Sequence, residues 1–334
     1  MASLSPKDGI KNLISSVEVE LNQVNEQILS RMYSHVPLIP ELAAHLITSG
    51  GKRMRPVLTL ASAKLCNYEP QEQHRAVGLA TCVEFIHTAT LLHDDVVDES
   101  DQRRGVNTAN NIWGNQASVL VGDFLFARAF ELMTEDGSLE VLRILSSASA
   151  IIAEGEVAQL QTAGDLSTTI ADYMKVIEGK TAALFAAACE VGAVVADSDA
   201  ETCERLRLYG LKLGLAFQIA DDILDWSAKE EALGKNIGDD FREGKVTLPL
   251  IITYEASNAE EKSFWQRCIE DMNQKEDDLA YAKSLIEKYD GLGASLQVAQ
   301  KLADEAAQQL DIFANSPLKD AMIASAYYAI DREF

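Results

Sequence analysis

Helix breakers, basic charge and paired cysteines are all scarce in this sequence, and each shortage removes a class of protein. Seven prolines and 19 glycines in 334 residues are too few for a disordered or collagen-like chain. No short β-branched segments recur between turn signals, which argues against an all-β fold. The five cysteines, at positions 66, 82, 189, 203 and 268, are odd in number and include no C-x-x-C pair, so neither a disulfide framework nor a zinc site is suggested. A reduced, cytoplasmic setting is the expectation. Lysine and arginine number 29 against 52 aspartates and glutamates, a formal net charge of −23 that disfavours nucleic acid and anionic membrane surfaces as partners. The first 21 residues lack the apolar core of a secretory signal. The most apolar stretch, 182–196, falls short of the roughly 20 residues of a transmembrane segment. It is interrupted by Glu190 and is expected to be a buried core helix.

What remains is helical patterning. Ile10, Leu13, Ile14, Val17, Leu21, Val24, Ile28 and Leu29 recur at three- and four-residue intervals, which predicts a helix over 10–32. A second helix is expected from Pro40 to Thr48, ending at Gly50-Gly51, with Pro56 in the first turn of the next. Residues 73–98 contain no proline and one glycine and predict a single helix about 39 Å long. Further helices are expected near 115–135, 139–163, 169–187 and 201–226 and again after Pro249, separated by a polar loop at 99–108 and a charged loop at 227–244. No repeat, low-complexity tract or linker interrupts the chain, so the expectation is all-α, one domain over 1–334.

The chemistry concentrates in three places. Residues 91–98 read Leu-Leu-His-Asp-Asp-Val-Val-Asp, with Asp94 and Asp98 one helical turn apart and able to reach one ion. A lone D-D-x-x-D in so acidic a chain has a bland reading as a solvated face, but apolar flanks make unpaired carboxylates costly there. Residues 217–225 repeat the spacing: Gln218, Asp221, Asp222 and Asp225 follow i, i+3, i+4, i+7 and share one stripe. Two such helices facing one another would enclose carboxylates suited to magnesium-bridged diphosphate. The third place, Gly50-Gly51-Lys52-Arg53-Met54-Arg55-Pro56, sets three cations at a helix start, an arrangement that binds phosphate oxygens. Taken singly, Arg103, Arg104, His87, Lys180, Thr181, Lys235 and Lys245 read as ordinary surface or core residues.

Together, segments 50–56 (GGKRMRP), 91–105 (LLHDDVVDESDQRRG), 179–181 (GKT) and 217–250 (FQIADDILDWSAKEEALGKNIGDDFREGKVTLPL) resemble the trans-isoprenyl diphosphate synthases, over about residues 45 to 252. Within that family the chain looks like the long-chain polyprenyl synthases, of octaprenyl or decaprenyl type, that make quinone side chains. The resemblance implies a helical bundle of the isoprenoid synthase type with a central cavity, a homodimer, and a Mg2+-dependent prenyltransferase that condenses an allylic diphosphate, farnesyl diphosphate or longer, with isopentenyl diphosphate. Carried over by position, it assigns Asp94, Asp95, Asp98, Asp221 and Asp225 to the metal, with Asp95 and Asp222 in support. It assigns Lys52, Arg55, His87 and Arg104 to isopentenyl diphosphate, and Arg103, Lys180, Thr181, Gln218 and Lys235 to the allylic diphosphate; Asp94, Asp98, Asp221 and Lys180 carry the catalysis. Ala89 and Thr90, small residues just before Asp94, imply an open tunnel for a long product. Release of so apolar a product could involve transient membrane contact. The role of Arg332 in closing the site is left open.

Overall fold

In the computed structural model, residues 5–48, 51–70, 74–103, 105–227 and 238–331 are described. The chain begins with α1 (Pro6–Ser16), whose Ser5 N-cap accepts the Asp8 N–H, and α2 (Glu18–Arg31). The helix expected over 10–32 is therefore two: Val17, at φ −124° and ψ 17°, leaves the helical region at the junction, and its fully buried side chain anchors the break. Next come α3 (Leu38–Thr48), α4 (Met54–Leu65) and α5 (Arg75–Val97). A two-residue antiparallel hairpin, β1 (Gln102–Arg103) and β2 (Val106–Asn107), occupies the loop expected at 99–108.

Five helices build the middle of the molecule after α6 (Ala109–Trp113): α7 (Asn115–Asp136), α8 (Leu139–Thr162), α9 (Ile170–Ile177), α10 (Ala183–Val195) and α11 (Ala200–Ser227). Gly137, in the left-handed region at φ 76°, stops α7 where the Asp-Gly pair was expected to. A single π-helical turn, Glu178–Ala182, joins α9 to α10, so the helical path expected to end at 187 continues to Val195. The later helices include 248–256, which opens on Thr247 and Pro249 as expected, 291–309 and 317–328.

One core cluster takes side chains from Ile10 to Ile330. Helix α5 lies along α7 and also packs against α4 and α2, while α10 packs against α11, α4 and α8. Among the described residues α5 alone is long and apolar enough to cross a membrane, but 67% of its most apolar stretch is buried. Its apolarity is answered by packing on neighbouring helices rather than by lipid.

Candidate active site

The C-terminal end of α5 carries Asp94, Asp95 and, at the cap, Asp98, whose N–H donates to the Asp94 carbonyl at 2.8 Å. Carboxylates here oppose the helix dipole and need positive charge nearby. The Asp95 carboxylate is buried and accepts from Arg103 Nε and Nη2 at 2.9 and 2.7 Å. The hairpin thus aims Arg103 back at α5; Asn110 reinforces it by donating to the carbonyls of Asp95 and Ser100, each at 3.1 Å. Burial, with Glu156 and Asp98 as acidic neighbours, pushes the Asp94 carboxyl up to about 7 despite Lys180 and Arg103.

Lys180 comes from the π-helical turn. Its ammonium donates to Glu156 Oε2 at 3.0 Å and to Gln159 Oε1 at 2.6 Å, both on α8. Two glycines permit that approach: a Cβ on Gly155 would lie 2.5 Å from the Lys180 nitrogen, and one on Gly179 would lie 2.9 Å from the Gly155 Cα. Extra turns of this π type often mark functional positions.

On α11, Asp221 is exposed and Asp222 is buried. Asp222 accepts from Tyr173 OH at 2.6 Å and from Gln218 Nε2 at 2.8 Å, while Gln218 Oε1 accepts from Thr181 Oγ1 at 2.7 Å. Burial raises the Asp222 carboxyl to about 7, against the lowering effect of those two donors. Asp225 accepts the backbone N–H groups of Asp239 and Asp240, each at 3.2 Å, so it caps the short helix 239–242. Lys245, one of the residues with a bland reading in the sequence, reaches the first cluster from the segment that Asp225 holds. Its ammonium lies 3.6 Å from Asp98 Oδ2 and also pairs with Glu243. Burial opposes its charge, but Asp98 and Asp240 hold the amine above its usual value. Asp240 is itself held well above the carboxylate range by burial and by Asp225.

A third group lies on the α4 side. Arg55 Nη1 and His87 Nε2 are 3.0 Å apart, and the Arg55 guanidinium stacks over the Phe185 ring at 4.3 Å. Lys52 sits over the Tyr328 ring, 4.3 Å from its centroid, and bonds its hydroxyl. Arg53, in the left-handed region at φ 49°, turns away from this group to pair with Glu84. Ala89 is fully buried, and the Thr90 hydroxyl donates to the His87 carbonyl at 2.8 Å. Gly50, Arg104, Lys235 and Arg332 lie outside the described residues.

Glu156, Gln159 and Tyr173 were not singled out from the sequence. Nothing local marks them, because each matters through a partner on another helix. A cavity of about 210 Å³, lined by Thr168, Val246, Leu250 and Lys262 among others, takes no lining residue from α5 or α11.

Among the described residues no three carboxylate, imidazole or thiolate groups converge closely enough to hold an ion unaided. The closed carboxylate cage suggested by the two motifs is thus not made by protein groups alone. The donor set nevertheless fits a hard divalent cation, which takes a few carboxylates and completes its shell with water and phosphate oxygens. Asp94, raised by burial and like charge, is a carboxylate that such an ion would return to its charged form.

Comparison with known proteins places the chain in a family. The Polyprenyl synthetase family model matches residues 36–286. The chain is 42% identical to the octaprenyl diphosphate synthase of Haemophilus influenzae over 315 residues, 94% of each chain, and 43% identical to that of Escherichia coli over 93% of this chain and 95% of the relative. A crystal structure of a decaprenyl diphosphate synthase from Rhodobacter capsulatus superposes with a TM-score of 0.92 at 48% identity, covering 97% of this chain and all of that one. A polyprenyl synthase from Caulobacter crescentus, crystallised with calcium and isoprenyl diphosphate, gives 0.93 at 50% identity, covering 97% and 98%. The chain therefore belongs to the polyprenyl synthetase family and is a prenyltransferase, a trans-polyprenyl diphosphate synthase of the long-chain, octaprenyl and decaprenyl type.

Proposed function

We propose that this enzyme condenses an allylic diphosphate, farnesyl diphosphate or longer, with successive isopentenyl diphosphates, using Mg2+, to build the side chain of a quinone. The observation that carries the proposal is the link from Asp98 through Lys245 to the loop that Asp225 caps. It supports two acidic helices working on one diphosphate, with cationic groups on either side. In this reading the whole chain, 1–334, acts as one cytoplasmic unit and pairs with a second copy of itself.

Asp94, Asp98 and Asp221 would hold the ions, with Asp95 and Asp225 fixing the hairpin and the helix 239–242 around them. Bound there, magnesium supplies the positive charge that neutralises a leaving diphosphate. Lys180, brought to the site on its π-helical turn, with Arg103 and Lys235, grips the allylic diphosphate. Lys52, Arg55, His87 and Arg104 hold the second diphosphate, and the Arg55–His87 contact keeps two of these side chains together. The allylic C–O bond breaks, the isopentenyl double bond forms the new C–C bond, and a proton leaves to an oxygen of the released diphosphate. The apolar flanks of α5 and α11 keep water from the cation, which it would capture as an alcohol.

Purified protein incubated with farnesyl diphosphate, isopentenyl diphosphate and magnesium should yield linear long-chain products. Asp94→Ala should lower turnover by about 10³-fold, the effect of losing several kcal/mol of charge stabilisation, with the helical circular dichroism retained. A folded Asp94→Ala protein with wild-type turnover would sink the assignment.

A further inference from the structure

We propose that Tyr173 is a positioning residue for the allylic side of the site: its phenol anchors a buried hydrogen-bond chain that ends at Thr181. The proposal rests on the assignment of Thr181 and Gln218 to that side.

Each link leaves one direction open. Burial and the neighbouring Asp222 make the Tyr173 phenol a weaker acid than usual, so it keeps its proton and donates it to Asp222 Oδ2 at 2.6 Å. An amide nitrogen can only donate, so Gln218 Nε2 faces Asp222 Oδ1 at 2.8 Å. The amide carbonyl is thereby turned towards Thr181, 2.7 Å away, and takes its hydroxyl proton.

The chain ties together α9, α11 and the π-helical turn, and Tyr173, Asp222 and Thr181 are only 4, 6 and 6% exposed. Packing alone does not explain the phenol, because a buried hydroxyl is costly unless bonded and phenylalanine would fill the same space. Without it Asp222 loses one of two donors, so its carboxylate is less firmly placed, and with it the Gln218 amide and the Thr181 hydroxyl that follow it in the chain.

The test is a double-mutant cycle with Tyr173→Phe and Thr181→Val, read as kcat and KM for both substrates. Each single change should lower kcat about tenfold, the scale of one buried hydrogen bond, with KM for isopentenyl diphosphate unchanged. The double variant should be no slower than the slower single one, because both break the same chain. Multiplying effects would overturn the proposal, as would a Tyr173→Phe protein that melts earlier but keeps kcat per folded enzyme. A Thr181→Val enzyme with normal kinetics removes instead the site assignment beneath it, and the proposal with it. Should Tyr173→Phe not fold, Asp222→Asn, which lets the amide at 218 pair either way round, is expected to show the same non-multiplying loss with Thr181→Val, and multiplication there would be equally adverse.

Discussion

Three carboxylates at one helix end meet three different environments here. Asp95 is taken by Arg103 and Asp98 shares Lys245, whereas Asp94 has in its favour a lysine already bonded to Glu156. That is why added positive charge matters most at Asp94. The i, i+4 spacing made Asp94 and Asp98 legible in the sequence because a helix turns that spacing into one face. The partner of Asp95 was not legible, since the register of a two-residue hairpin decides where Arg103 points. Five residues before Asp94, Ala89 is fully buried, and the resemblance implies a tunnel for the growing chain beside it. Ala89→Phe should therefore yield shorter products by reversed-phase chromatography, with a stability loss of about 1–3 kcal/mol from overpacking. An unchanged product length would reject a path beside this residue.

At the scale of elements, the long helix expected over 73–98 appears as α5, residues 75–97, because an uninterrupted apolar pattern without proline has few alternatives. The π-helical turn at 178–182 was hidden: its sequence reads as plain helix, and only the crossing with α8 shows why the turn is wider. Gly155 and Gly179 meet backbone to backbone there, which brings Lys180 against Glu156 and Gln159. A methyl group at 155 has nowhere to go, since the atoms it meets belong to the Lys180 and Gly179 backbone rather than to a side chain that can rotate. Gly155→Ala is expected to cost about 1–3 kcal/mol in urea unfolding and to raise KM for the allylic substrate more than for isopentenyl diphosphate. Equal effects on both substrates would mean that the crossing does not specifically place Lys180.

For the whole molecule, a net charge of −23 excludes a large cationic surface as the means of gathering polyanionic substrates, so positive charge has to be local or brought in with the ions. The fold class was legible from helical periodicity alone, but how the helices cover one another was not, because the same apolar stripe can face a core or a partner. Here α7 and α8 expose large apolar side chains among charged ones: Leu120 is 66% exposed, Phe130 48%, Val157 58% and Leu160 63%. Scattered apolar residues are normal on a surface, but a run along two successive helices is what an obligate pairing covers. These faces support the proposed homodimer, in which each copy would lay α7 and α8 against the other about a two-fold axis. Light scattering should then give twice the chain mass of 36.5 kDa. Leu160→Asp should shift the protein towards monomer and lower its melting temperature, since it buries an unpaired charge in the pairing face. A wild-type protein that stays monomeric at micromolar concentration would show that these side chains serve another purpose.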